Sequence, residues 1–184
     1  MNKELIKPTV VLFAVTFIAA LIIGVTYSIT EEPIREQRAN AEMAAIMALF
    51  PNTYAIQYRE INEEGSTLTR LAQSLDYHGN VYGYVFSASP SGYSGAINMM
   101  VAIDLDGVIQ GVRIVRHTET PGLGANITLD WFLEEFIGRE GVLTSAHNPA
   151  ADNEISIIAS ATISVNAVVR GVNDALAYFE REVQ

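Results

Sequence analysis

Residues 8–30, PTVVLFAVTFIAALIIGVTYSIT, form an uncharged and mostly apolar run. As a helix rising 1.5 Å per residue, it covers about 35 Å, enough to cross a hydrocarbon core of roughly 30 Å with some tilt. A secretory signal has a shorter apolar stretch followed by a small-x-small cleavage site. No convincing site of that kind follows Gly24, so the run is read as an uncleaved anchor. Lys3 and Lys7 precede it and Glu31 and Glu32 follow it. The positive-inside rule then puts the N-terminus in the cytoplasm and the remainder outside, a single pass through the cell (inner) membrane.

Lys3 and Lys7 are the only lysines. Past the anchor stand 20 acidic residues (21 less Glu4) and nine arginines (11 Lys+Arg less the two lysines), a net charge of −11. That balance argues against nucleic acid and anionic lipid as partners. There is no cysteine, which excludes disulfides, thiolate metal sites and thiol nucleophiles. The 154 residues after the anchor suffice for one domain with its own core.

Residues 31–50 carry helical spacing up to Pro51, read as a stalk over 31–51. Residues 52–76 are ambiguous. Residues 81–88, VYGYVFSA, read as a strand, and 89–95, SPSGYSG, as a loop. Residues 96–104 and 108–117 read as a strand pair around Asp104-Leu105-Asp106-Gly107, where Asp-Gly signals a hairpin turn. Val112, Ile114 and Val115 suggest that the second strand is largely buried. Residues 129–137 have helical periodicity, and 144–154 read as an exposed connection. Apolar residues at 165, 168, 169, 172, 176 and 179 mark a terminal amphipathic helix over 165–183. The whole reads as an α+β domain, an antiparallel sheet with packed helices, on one transmembrane helix. Its divisions are 1–30 (anchor), 31–51 (stalk) and 52–184 (domain).

Two stretches carry chemistry. In His117-Thr118-Glu119-Thr120-Pro121-Gly122-Leu123-Gly124, proline fixes a turn and the glycines permit close backbone approach to a ligand. Taken alone, this is a plain turn, His117 a satisfied structural histidine and Glu119 a solvated carboxylate. In residues 156–171, SIIASATISVNAVVRG, small hydroxyl residues are delivered to a helix start, where free N–H groups and the helix dipole favour a phosphate. Taken alone, Ser164 would cap that helix, Thr162 would end a strand and Ser160 would be a small packing residue. No acid–base or nucleophile–base pair points to substrate turnover, so no catalytic and no metal-binding residue is assigned. A hydrolase built on His78, His117 or His147 lacks a G-x-S-x-G nucleophile motif.

Taken together and in order, these features resemble the FMN-binding G subunit of the Rnf complex, related to the C subunit of the sodium-pumping NADH:quinone reductase. The resemblance rests on the anchor, residues 83–114 (GYVFSASPSGYSGAINMMVAIDLDGVIQGVRI), HTETPGLG at 117–124 and ATIS-x-NAVVRGVNDAL at 161–176. It implies an electron-transfer subunit of a complex that moves electrons between ferredoxin and NAD and couples this to Na⁺ or H⁺ translocation. It implies FMN joined through its phosphate to the hydroxyl of Thr162 by a flavin transferase, with non-covalent FMN as the variant. It also implies other membrane subunits of the complex as partners. The pocket would be lined by His117, Glu119, Thr120, Leu123, Gly124, Ser160, Ala161 and Ser164, with Ser164 and Asn166 as further phosphate donors. The family pattern is Asp-x-x-Ser-Gly-Ala-Thr; here Ser156, Ala159 and Ser160 replace its aspartate, serine and glycine, while Ala161 and Thr162 match. Those replacements motivate the competing reading, a non-catalytic flavin-sensing or FMN-free assembly subunit.

Overall fold

The structure, a computed structural model, describes residues 3–183. Two compact units divide the chain, Met1–Ala41 and Glu42–Gln184. Among the described residues, the first is helix alone. Helix α1 spans Lys3–Leu49. Over residues 8–30 its apolar side chains are unburied, with Leu12, Phe13 and Ile23 each about two-thirds exposed, and the helix is long and apolar enough to cross a membrane. Thr16, Ser28 and Thr30 donate their hydroxyls to carbonyls four residues back, so these polar atoms are satisfied within the helix itself.

The second unit is built on a five-stranded antiparallel meander in sequential order: β1 (Ala55–Glu60), β2 (Leu68–Leu75), β3 (Val81–Ala88), β4 (Asn98–Ile103) and β5 (Ile109–Arg116). The β4–β5 hairpin turns where Asp-Gly predicts. Asp104 Oδ1 accepts the N–H groups of Asp106 and Val108 at 2.9 Å each, which closes the turn. β4 is apolar almost throughout because both of its faces are covered: Met99, Val101 and Ile103 join one cluster and Met100 and Ala102 the other. The second cluster also contains Ala45, Ile46 and Phe50 from the end of α1 and its exit. On the opposite face lies the larger core, filled chiefly by α3 (Thr162–Glu182) through Val165, Val168, Val172, Leu176 and Phe179. Helical spacing puts these five on one stripe.

Several expectations need correction. The last helix begins at Thr162, three residues before the apolar periodicity, because polar Thr162 and buried Ser164 both sit in its first turn. Its N-cap position is Ala161, so Ser164 is not the cap, and Ser160 is exposed rather than packed. The 144–154 stretch is not a bare connection: β6 (Thr144–Ala146) and β7 (Glu154–Ser156) pair in parallel at its two ends. These strands are three residues long, too short to show alternation. The helix read over 129–137 is α2, Asp130–Glu134, followed by a turn. Val112 is buried but Val115 is 41% exposed, since β5 is covered mainly in its first half.

Candidate flavin site

Two loops and a helix start converge at one end of the sheet. Residues 117–124 leave β5 and enter a 3-10 turn, Gly124–Thr128. Residues 89–97 link β3 to β4, and Ser91 and Ala96 form an isolated antiparallel bridge within that link. The third element is the start of α3.

Glu119 joins all three. It is 4% exposed, so its reading as a solvated carboxylate is wrong. Its Oε1 accepts the Ser94 N–H at 2.9 Å and its Oε2 accepts the Ser164 hydroxyl at 2.6 Å. A buried carboxylate needs such donors to offset its lost hydration. Its own N–H donates to His117 Nδ1 at 3.2 Å. Glycines leave room for it. A Cβ on Gly124 would lie 2.3 Å from Oε2 and one on Gly92 would lie 2.5 Å from Oε1. The demand for glycine at these two positions is therefore steric.

Around this junction lies a cavity of about 410 Å³, lined by Tyr93, Glu119, Thr120, Leu123, Gly124, Ser160, Ala161, Thr162, Ile163 and Ser164. Its size falls within the usual range for small-molecule sites. Of the residues named from sequence, it brings together Glu119, Thr120, Leu123, Gly124, Ser160, Ala161, Thr162 and Ser164. His117 is not on its wall and reaches it only through the Glu119 backbone. Tyr93 and Ile163 were missed: Tyr93 sits in a loop without periodicity, and Ile163 reads as one more apolar residue at a helix start. A second cavity of about 310 Å³ lies among Leu49, Arg113, Asp130 and Glu134 and holds none of the candidate residues.

Thr162 is exposed and is the first residue of α3. No side-chain oxygen caps this helix: Ala161 has none to offer, and the first intrahelical bond at the cap runs from Val165 N–H to Ala161 O at 2.9 Å. The N–H groups of the first turn are thus left to an outside acceptor, and they carry the positive end of a 21-residue helix dipole. A phosphate fits that donor set. The Ser164 hydroxyl does not belong to it, because its proton goes to Glu119. Asn166 Oδ1 accepts the Ser145 hydroxyl at 2.6 Å, and its place outside the cavity lining sets it apart from Thr162.

Ser160 has φ +64°, the one positive value among described non-glycine residues. The left-handed conformation explains why the family pattern has glycine here, and this chain keeps the conformation with a serine in place. Ser156 ends β7, and its N–H donates to Glu135 Oε2 at 2.7 Å.

Residues 92–177 match the family model described as an FMN-binding domain, and residues 1–49 match the RnfG N-terminal region. The chain is 34% identical over 162 residues to the G subunit of the proton-translocating ferredoxin:NAD(+) oxidoreductase complex of Clostridium ljungdahlii, covering 87% of this chain and 83% of that one. It is 29% identical over 181 residues to the G subunit of the ion-translocating oxidoreductase complex of Methanosarcina acetivorans, covering 96% and 95%. Among solved structures, Shewanella oneidensis NqrC superposes with TM-score 0.52 at 18% identity over 70% of this chain and 67% of the other. The C subunit of the Na(+)-translocating NADH-quinone reductase from Parabacteroides distasonis gives 0.53 at 18% over 70% and 77%. The last two likenesses establish the α+β fold. Membrane-length helix, FMN-binding domain and near-full-length likeness to known G subunits coincide in one chain, and it belongs to the G-subunit family of the Rnf ion-translocating oxidoreductase complexes.

Proposed function

We propose that this chain is a membrane-anchored electron-transfer subunit that carries FMN on Thr162. The observation that carries the reading is the position of Thr162: exposed, first in α3, on the wall of the cavity and beside N–H groups that no side chain caps. Phosphoester formation would join the threonine oxygen to the FMN phosphorus. The hydroxyl proton is lost and a leaving group departs from phosphorus, a step assigned to a flavin transferase. The first-turn N–H groups would then hold the phosphate oxygens, while Thr120, Leu123 and Gly124 shape the space beyond. Bound there, FMN supplies one- and two-electron transfer; the protein supplies position and shielding.

Residues 1–30 act as anchor, 31–51 as helical stalk and 52–184 as the flavin domain. Lysines before the span and glutamates after it support a cytoplasmic N-terminus and an extracytoplasmic domain. A covalent link suits that side of the membrane, where a dissociating cofactor is diluted away. Relatives are named as subunits of complexes that translocate Na⁺ or protons and act on ferredoxin and NAD(+), which supports other membrane subunits as this chain's redox partners.

The test is intact mass of the full chain made together with its flavin transferase. Wild type is expected to gain one FMN less one water, and Thr162→Ala to gain nothing. A colourless wild type of unmodified mass overturns the flavoprotein reading in favour of an FMN-free assembly subunit. Flavin released on denaturation overturns the covalent link alone.

A further inference from the structure

Tyr93 is 72% exposed, yet it lines the cavity beside Thr162. Among the described residues no ring or guanidinium packs against its ring. A tyrosine on a floppy surface loop would be ordinary, but this loop is fastened. Ser94 N–H is held by Glu119 at 2.9 Å, Ser94 O by the Thr118 hydroxyl at 3.2 Å and Ser91 O by Arg170 Nη2 at 3.1 Å. Gly92 N–H closes the loop on Gly95 O at 2.8 Å. A backbone held by these bonds thus carries an aromatic side chain without a ring partner on the cavity wall. The same cavity carries the half-exposed aliphatic side chains of Leu123 and Ile163. A flat, fused, apolar-faced ring is the ligand chemistry that such walls suit.

Resting on the flavin reading above, we propose that Tyr93 is the aromatic wall against which the isoalloxazine ring lies, and that Glu119 is the positioning residue that holds Tyr93 there. Glu119 acts through the loop: one oxygen fixes the backbone next to Tyr93, the other fixes the turn of α3 that bears Thr162. Ring and attachment point are thereby set relative to each other by one carboxylate.

An electron-rich phenol stacked on a flavin quenches its emission, so fluorescence per bound flavin reads the contact directly, in the detergent-purified full chain made with its transferase. Wild type is expected to be dim compared with free FMN. Tyr93→Leu should brighten it at least about twofold, while Tyr93→Trp stays dim. Glu119→Ala should brighten it as Tyr93→Leu does. Glu119→Gln should stay dim, because an amide oxygen still accepts from Ser94 and its NH₂ donates to the Ser164 oxygen. Unchanged emission in Tyr93→Leu, or wild-type emission equal to that of free FMN, overturns the wall. A Glu119→Gln protein as bright as Tyr93→Leu overturns the positioning role, a result that stands even if Glu119→Ala fails to fold. A wild type without flavin overturns the parent reading instead.

Discussion

The Ser164 hydroxyl donates to Glu119 Oε2 at 2.6 Å, closing a contact between residues 45 apart in sequence. Both residues are buried, and this bond holds the 117–124 loop onto α3.

Removing the donor leaves the carboxylate oxygen unsatisfied. Ser164→Ala is expected to destabilise the domain by about 1–3 kcal/mol, read as a lowered unfolding midpoint of the full chain in detergent. A midpoint equal to that of wild type would mean that water replaces the hydroxyl without cost.

Gly124→Ala forces a methyl to within 2.3 Å of Glu119 Oε2 and 2.6 Å of Ser164 Oγ. Overpacking of this kind costs about 1–3 kcal/mol and drives the loop away from α3. The expected outcome is lowered stability together with reduced flavin incorporation. By contrast, Gly122→Ala leaves open space around its Cβ and should show only the strain of its φ of +76°.

Ser160→Gly restores the residue that tolerates φ +64°. Relief of left-handed strain exceeds the entropy added to the unfolded chain, so stability should rise by up to about 1 kcal/mol. Flavin loading should be maintained or improved. A fall in the unfolding midpoint would show that the serine makes a compensating contact.

Acid sensitivity has identifiable contributors. Backbone and side-chain hydrogen bonds from Asn80 hold the Asp76 carboxyl below its ordinary range, and the N–H groups of Ala150 and Ala151 do the same for Glu154. Depressed folded-state values mean stabilisation that is complete above the unfolded carboxylate range, roughly pH 4–4.5. It is lost as pH falls through the lower folded values. Asp76→Asn combined with Glu154→Gln is expected to flatten the acid limb of the melting-temperature profile below about pH 4.5 and to leave the difference from wild type constant above it.

The sequence by itself determined what depends on local pattern. The anchor follows from an uncharged run, the β4–β5 hairpin from Asp-Gly between β-branched segments, and the inner face of α3 from 3.6-residue spacing. It also named eight residues of the cavity wall, through motifs whose order along the chain carried the resemblance. Glu119 could not be read correctly in that way. A carboxylate between two threonines has no local signature of burial, and its donors come from positions 25 and 45 residues away. Tyr93 was invisible for the same reason, as was the cost of Ser160, whose φ is imposed by the join between β7 and α3. Tertiary structure alone decided these points, because burial, satisfied charge and backbone strain arise only when distant segments are brought into one place.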